Sequence, residues 1–123
     1  MHSLMYSIKI ELYFSSAHFL RDYKGKCEQL HGHNWKVEVN LESKKLDKSG
    51  MVLDFKDLKI KLNDILEKMD HKCLNNLAYF KKVNPTSENI AQYIYKSLKP
   101  EVSKLRLVTV WESHNSCASY YEG

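Results

Sequence analysis

Three histidines carry the chemistry most open to a reading of the sequence. His31 and His33 flank Gly32. On a strand, residues two apart project from one face, so both imidazoles can reach a single point. Zinc takes histidine nitrogen at about 2.0–2.1 Å, and three protein ligands with an open fourth position are the catalytic form of a zinc site. His18 is the third candidate ligand. Gly32 fits a place where backbone or ligand approaches closely. The plainer reading makes these surface or core histidines with ordinary hydrogen-bond partners, and His18 alone would take it. The His31–His33 pair lies on the apolar parity of a strand, where burial without a partner is costly. That favours metal.

Other residues have weaker individual signals. Cys27 precedes His31 by four positions, and a thiol beside a cation loses its proton more easily, which suits a base or nucleophile. It reads equally as a loop cysteine, or as a fourth ligand closing a structural site. Asp70 and His71 are adjacent, an arrangement that can form a proton relay. The alternative is a helix-terminal histidine facing the helix dipole. Glu112 could be a salt-bridge partner, or could accept paired N–H donors from a heterocyclic ring.

The elements that must position these residues follow from periodicity. Tyr6, Ile8, Ile10, Leu12 and Phe14 alternate with polar residues, which predicts a strand with one wet face, and His18 falls just beyond it. A loop around Arg21–Gly25–Lys26 leads to a second strand, with His31, His33, Trp35, Val37, Val39 and Leu41 on one parity. After the turn-like KKLDKSG, Phe55, Leu58, Leu62, Ile65, Leu66 and Met69 recur at helical spacing, with Asp54 as N-cap. Pro85-Thr86-Ser87-Glu88 opens a second helix that Pro100 stops. Leu105–Glu112 and Cys117–Tyr121 read as two further strands. The order ββααββ predicts an α+β domain with helices on one face of an antiparallel sheet. A cupin is excluded, although Gly25, the HxH pair and Glu38 imitate part of its motif. Glu38 opposes the histidines in parity, Lys45 stands where the closing glycine belongs, and two central helices do not suit that barrel.

Composition narrows the class. A chain of 123 residues with 43% hydrophobic and 28% charged residues is expected to form one domain over 1–123 with its own core. No apolar run suits a membrane helix, and charges at Lys9 and Glu11 follow the first residues too soon for a signal peptide. Three cysteines without a CxxC pair do not suggest a disulfide framework, and a cytoplasmic location is expected. The net charge of +4 is dispersed, which argues against a nucleic-acid partner.

Six segments, in order, give these residues a common context: FSSAHFL (14–20), CEQLHGHNW (27–35), GMVLDFKDLK (50–59), MDHKCLN (69–75), NPTSENIA (84–91) and WES (111–113). The chain resembles the 6-pyruvoyltetrahydropterin synthase / 6-carboxytetrahydropterin synthase family from about Tyr6 to Tyr121. The resemblance implies the tunnelling fold, a two-helix, four-stranded subunit whose sheets join into a barrel in a homotrimer or hexamer. It implies Zn2+ held by His18, His31 and His33, and catalysis by Cys27, Asp70 and His71. It further implies that Glu112 anchors a pterin ring while Thr86, Ser87 and Glu88 line its pocket. Arg21 and some of the lysines are expected to receive phosphates.

Within that family the spacing of Cys27 to His31 resembles the carboxy-forming branch of queuosine biosynthesis, whereas animal pyruvoyl-forming relatives carry a longer gap. The implied substrate is 7,8-dihydroneopterin triphosphate, a small molecule, with no membrane partner. The segment Glu112-Ser113-His114-Asn115 departs from the usual E-T pattern, which affects contacts at the far edge of the pterin rather than the carboxylate. Competing readings are the pyruvoyl-forming activity, a non-catalytic zinc- or pterin-binding module, and a related aldolase that needs no three-histidine site.

Overall fold

Alternation of apolar and polar residues becomes a long β-hairpin in the computed structural model, which describes residues 4–24 and 29–123. Strand β1 covers Tyr6–His18 and β2 covers His31–Ser43. They pair antiparallel over their full length, from Tyr6 opposite Ser43 to His18 opposite His31. The sequence reading ended β1 at Phe14, but the ladder runs on through Ser15, Ser16 and Ala17, so His18 is its last residue. These small residues interrupt the apolar alternation without interrupting the backbone pairing.

Helix α1 spans Phe55–Leu66, and the Asp54 carboxylate caps it by accepting the Lys56 N–H. Three residues, Glu67 to Met69, separate its end from Asp70, so Asp70–His71 belongs to a turn rather than to the helix terminus. Met69 follows the helix yet is fully buried, which explains why its spacing imitates another helical turn. Next comes β3, only Lys72–Cys73, parallel to Ser16 and Ala17 of β1. Two short 3-10 turns, Leu74–Asn76 and Ala78–Phe80, lead to helix α2 at Ser87–Leu98. The α2 N-cap is Thr86, whose side chain accepts the Asn89 N–H, so the helix opens two residues after Pro85. Strands β4 (Leu105–Ser113) and β5 (Ser116–Tyr120) complete the sheet, whose order is β3-β1-β2-β4-β5.

The helices cover one face of this sheet, α1 against β1 and α2 against β4 and β5. Trp35, Val37, Val39 and Leu41 of β2 are fully buried there with Leu58, Leu62, Ile90, Ile94 and Val110. Each such side chain contributes about 1.5–3 kcal/mol of hydrophobic stabilisation. That packing holds the hairpin rigid up to its histidine end.

The other face is polar. Glu11 and Glu38 sit opposite one another on β1 and β2. Lys36 lies 3.8 Å from Glu11 and 3.6 Å from Glu38, while the Trp111 indole N–H donates to Glu38 at 3.0 Å. Hydrogen bonding with Glu38 is the main cause that holds the Glu11 carboxyl below its ordinary value, helped by the charges of Lys36 and Lys9 against a partial desolvation. Among the described residues, no helix is long and apolar enough to cross a membrane.

Candidate metal centre and adjoining pocket

Three strand positions bring three imidazoles to one point. His18 closes β1, while His31 and His33 open β2 on the same face. One ligand atom from each lies within 4.8 Å of the others. The rings meet edge to face, with centroids 4.6 Å apart for His18–His31, 5.1 Å for His18–His33 and 4.8 Å for His31–His33. Buried Trp35 forms the floor, 4.9 Å from His18 and 5.1 Å from His33, and its indole N–H donates to the Ser16 carbonyl.

Hydrogen bonds set the donor atoms. Nδ1 of His18 lies 2.8 Å from the Pro85 carbonyl, and Nδ1 of His31 lies 2.9 Å from the Gln29 carbonyl. A carbonyl accepts only, so both Nδ1 atoms carry their protons, and in the neutral imidazole each Nε2 then presents a lone pair. Those two Nε2 atoms stand 3.1 Å apart. Lone pairs facing at that distance repel unless a cation lies between them, and two ligands of a tetrahedral zinc are about 3.3 Å apart. The residues therefore fit a zinc ion. A carbonyl behind the ligating imidazole is the usual support of a metal-bound histidine.

Beside this centre is a cavity of about 210 Å³ lined by His18, Leu20, His31, Thr86, Ser87, Glu88 and Glu112. The structure thus gathers the expected pocket residues around the expected ligands. Glu112 extends toward the centre, its Oε1 3.8 Å from the buried Nε2 of His33. The start of α2 forms the opposite wall, and the Thr86 hydroxyl is engaged in capping it.

Asp70 and His71 stand elsewhere. Asp70 accepts the Ser15 N–H at 2.8 Å, and the His71 N–H donates to the Ser15 carbonyl at 2.6 Å. The Asp70 carboxylate lies 3.5 Å from His71 Nε2. His71 is held at φ +57°, a left-handed conformation that is uncommon for a residue with a side chain. Its side chain is 81% exposed and lines a second depression with Ser15, Ala17, Gly32, Asn34 and Cys73, which His33 joins to the metal centre. Cys27 lies outside the described residues.

The Arg21 guanidinium is anchored on backbone: it donates to the Asn75 carbonyl at 3.2 Å and to the Val83 carbonyl at 3.5 Å. Periodicity missed the asparagines behind His18, because single polar residues in loops leave no repeating signal. Asn75 and Asn84 nevertheless stand inside the MDHKCLN and NPTSENIA segments.

Comparison with known proteins agrees with this geometry. The sequence profile of the 6-pyruvoyl tetrahydropterin synthase family matches residues 7–123. A Synechocystis relative named 6-carboxy-5,6,7,8-tetrahydropterin synthase is 37% identical, with 95% of this chain and 94% of the relative aligned. The human 6-pyruvoyl tetrahydrobiopterin synthase is 36% identical over 87% of this chain and 85% of its own length. The solved structure of the Caenorhabditis elegans 6-pyruvoyl tetrahydropterin synthase superposes with a TM-score of 0.85 at 28% identity, covering 100% of this chain and 99% of that one. The architecture is the α+β tunnelling fold, with the two-residue β3 added to the four long strands.

Proposed function

Because the chain belongs to the 6-pyruvoyl tetrahydropterin synthase family, we propose that it is a 6-carboxy-5,6,7,8-tetrahydropterin synthase. In this reading it converts 7,8-dihydroneopterin triphosphate and water to 6-carboxytetrahydropterin, triphosphate and acetaldehyde. The observation that carries the reading is the convergence of His18, His31 and His33 beside a pocket walled by Glu112 and Thr86–Glu88. The four-residue step from Cys27 to His31 supports the carboxy branch. The pyruvoyl-forming activity is the second reading, favoured by the 36% identity to the human enzyme.

His18, His31 and His33 would hold Zn2+, which when bound supplies a Lewis acid that eases negative charge onto substrate oxygen. Glu112 accepts N–H donors of the pterin ring and fixes its orientation. Thr86, Ser87 and Glu88 close the pocket around it. The Cys27 thiolate takes and returns protons at the side-chain carbons. Asp70 orients His71 as its proton-relay partner.

Exposure of His71 supports a site completed between subunits. Along the outer edge of β1, β3 covers only Ser16 and Ala17, and β5 forms the opposite edge of the sheet. Joining such edges in a homotrimer, doubled into a hexamer, removes open sheet borders and forms the barrel. We read residues 1–123 as one such domain, working in the cytoplasm in queuosine formation.

The deciding experiment is incubation of zinc-loaded protein with 7,8-dihydroneopterin triphosphate and identification of the products by mass spectrometry. Carboxytetrahydropterin with acetaldehyde is expected. A pyruvoyl pterin would move the protein to the second reading, and no turnover would refute both. Mixing inactive Cys27→Ala and His71→Ala subunits should restore part of the activity if each site draws on two chains. Failure to recover any would place the whole site in one chain.

A further inference from the structure

Beyond Ala17, β1 has no further partner strand on its β3 side among the described residues: Lys72 and Cys73 pair with Ser16 and Ala17, and the chain then turns. Two side-chain amides continue the ladder. The Phe19 N–H donates to Asn75 Oδ1 at 3.0 Å, while Asn75 Nδ2 donates to the Phe19 carbonyl at 2.9 Å. Two residues on, the Arg21 N–H donates to Asn84 Oδ1 at 2.8 Å, and Asn84 Nδ2 donates to the Arg21 carbonyl at 3.0 Å. Each primary amide presents one acceptor and one donor to a single residue, as a peptide group of a neighbouring strand would. The two-residue spacing matches the strand period.

This ladder ends at the metal centre. Asn84 is followed by Pro85, whose carbonyl receives Nδ1 of His18. Asn84 is itself held from behind, because Asn89 Nδ2 donates to its carbonyl at 2.8 Å. Asn75 is 2% exposed, so its two bonds to Phe19 are not exchanged with water. The same amides that fix the backbone after His18 therefore fix the distance from His18 to the carbonyl that selects its tautomer.

We propose that Asn75 and Asn84 are positioning residues for the metal ligand His18, acting as a two-rung artificial strand that sets its height and aims its Nε2. The inference rests on the three-histidine metal reading. It separates these asparagines from residues that merely stabilise the fold, because their effect must appear in the metal affinity of folded protein.

The test measures zinc affinity of Asn84→Asp, Asn84→Ala and Asn75→Asp against wild type, by competition with a chromogenic chelator. Aspartate keeps an acceptor for the N–H but opposes the backbone carbonyl with a second oxygen. Loss of a group behind a metal ligand typically weakens binding roughly 10- to 100-fold. That weakening is expected in variants whose circular dichroism matches wild type, together with altered d–d bands after cobalt substitution. A destabilised core variant away from the site, Leu62→Val, should keep wild-type zinc affinity. Folded Asn84→Asp and Asn75→Asp proteins that bind zinc as wild type does would overturn the proposal, as would equal weakening in Leu62→Val. If Asn84→Ala does not fold, the two aspartate variants decide. Wild-type protein that binds no zinc would instead refute the metal reading itself.

Discussion

Glu112 Oε1 lies 3.8 Å from His33 Nε2, so one carboxylate borders both the metal centre and the pocket beside it. Under the proposed function, its value to a pterin ring would lie in its charge. Glu112→Gln keeps the shape and turns one acceptor into a donor. A hydrogen bond to a charged group is worth about 1.5–3 kcal/mol, which corresponds to a fall in kcat/KM of roughly 10- to 150-fold. Zinc content should stay at the wild-type level. Steady-state kinetics and metal analysis check both; unchanged kinetics would remove Glu112 from the substrate site.

With their Nε2 atoms 3.1 Å apart, His18 and His31 would make a bound metal ion a source of stability as well as chemistry. At free zinc about 1,000-fold above Kd, binding adds roughly 4 kcal/mol to the folded state. For a chain of this size, chelation should lower Tm by roughly 10–20 °C. His31→Ala should melt at one temperature with and without chelator. Differential scanning calorimetry measures this, and a wild-type Tm indifferent to chelation contradicts it.

The left-handed backbone of His71 carries its own cost. For an L-residue that conformation costs about 1–2 kcal/mol, which glycine avoids while losing some of the gain to its greater unfolded-state freedom. His71→Gly should be more stable than His71→Ala by up to about 1 kcal/mol. Both should be inactive and retain zinc. Urea unfolding ranks the pair, and an alanine variant as stable as the glycine one would argue against strain at this position.

Glu11 supplies a pH signature. Its carboxyl is depressed below the ordinary 4.5, first by hydrogen bonding with Glu38 and then by Lys36 and Lys9. A depressed carboxyl favours folding above its unfolded pKa, and that contribution disappears as pH falls through the folded value. Glu11→Gln should therefore show a shallower loss of stability below about pH 4.5 than wild type. The effect is small because the group is open to solvent. Urea midpoints between pH 3 and 7 report it; identical slopes would show that the Glu11 carboxyl is not held below its ordinary value in the folded protein.

Much of this was visible in residue order because the informative periods are long. The hairpin follows from alternation, and the HxH pair follows from alternation with chemistry added. The end of β1 did not, since Ser15, Ser16 and Ala17 carry no apolar signal while their backbone still pairs. Asp70–His71 was read onto a helix because Met69 is buried from a turn at helical spacing. The carbonyls that anchor the Arg21 guanidinium were not legible, because a charge on a loop says nothing of its neighbours. Asn75 and Asn84 make isolated long-range contacts, which no local window records.

The pairing of His18 with His31 has a consequence for how the chain finds its fold. A hairpin of this length can form misaligned, and a slip of one residue sends every side chain of one strand to the opposite face. Such a slip would carry His31 and His33 away from His18 and leave the ion with fewer donors. The correctly aligned hairpin alone offers all three imidazoles to one cation. A metal ion bound by all three would thus act as a proofreader of strand alignment, favouring the native pairing over a slipped one.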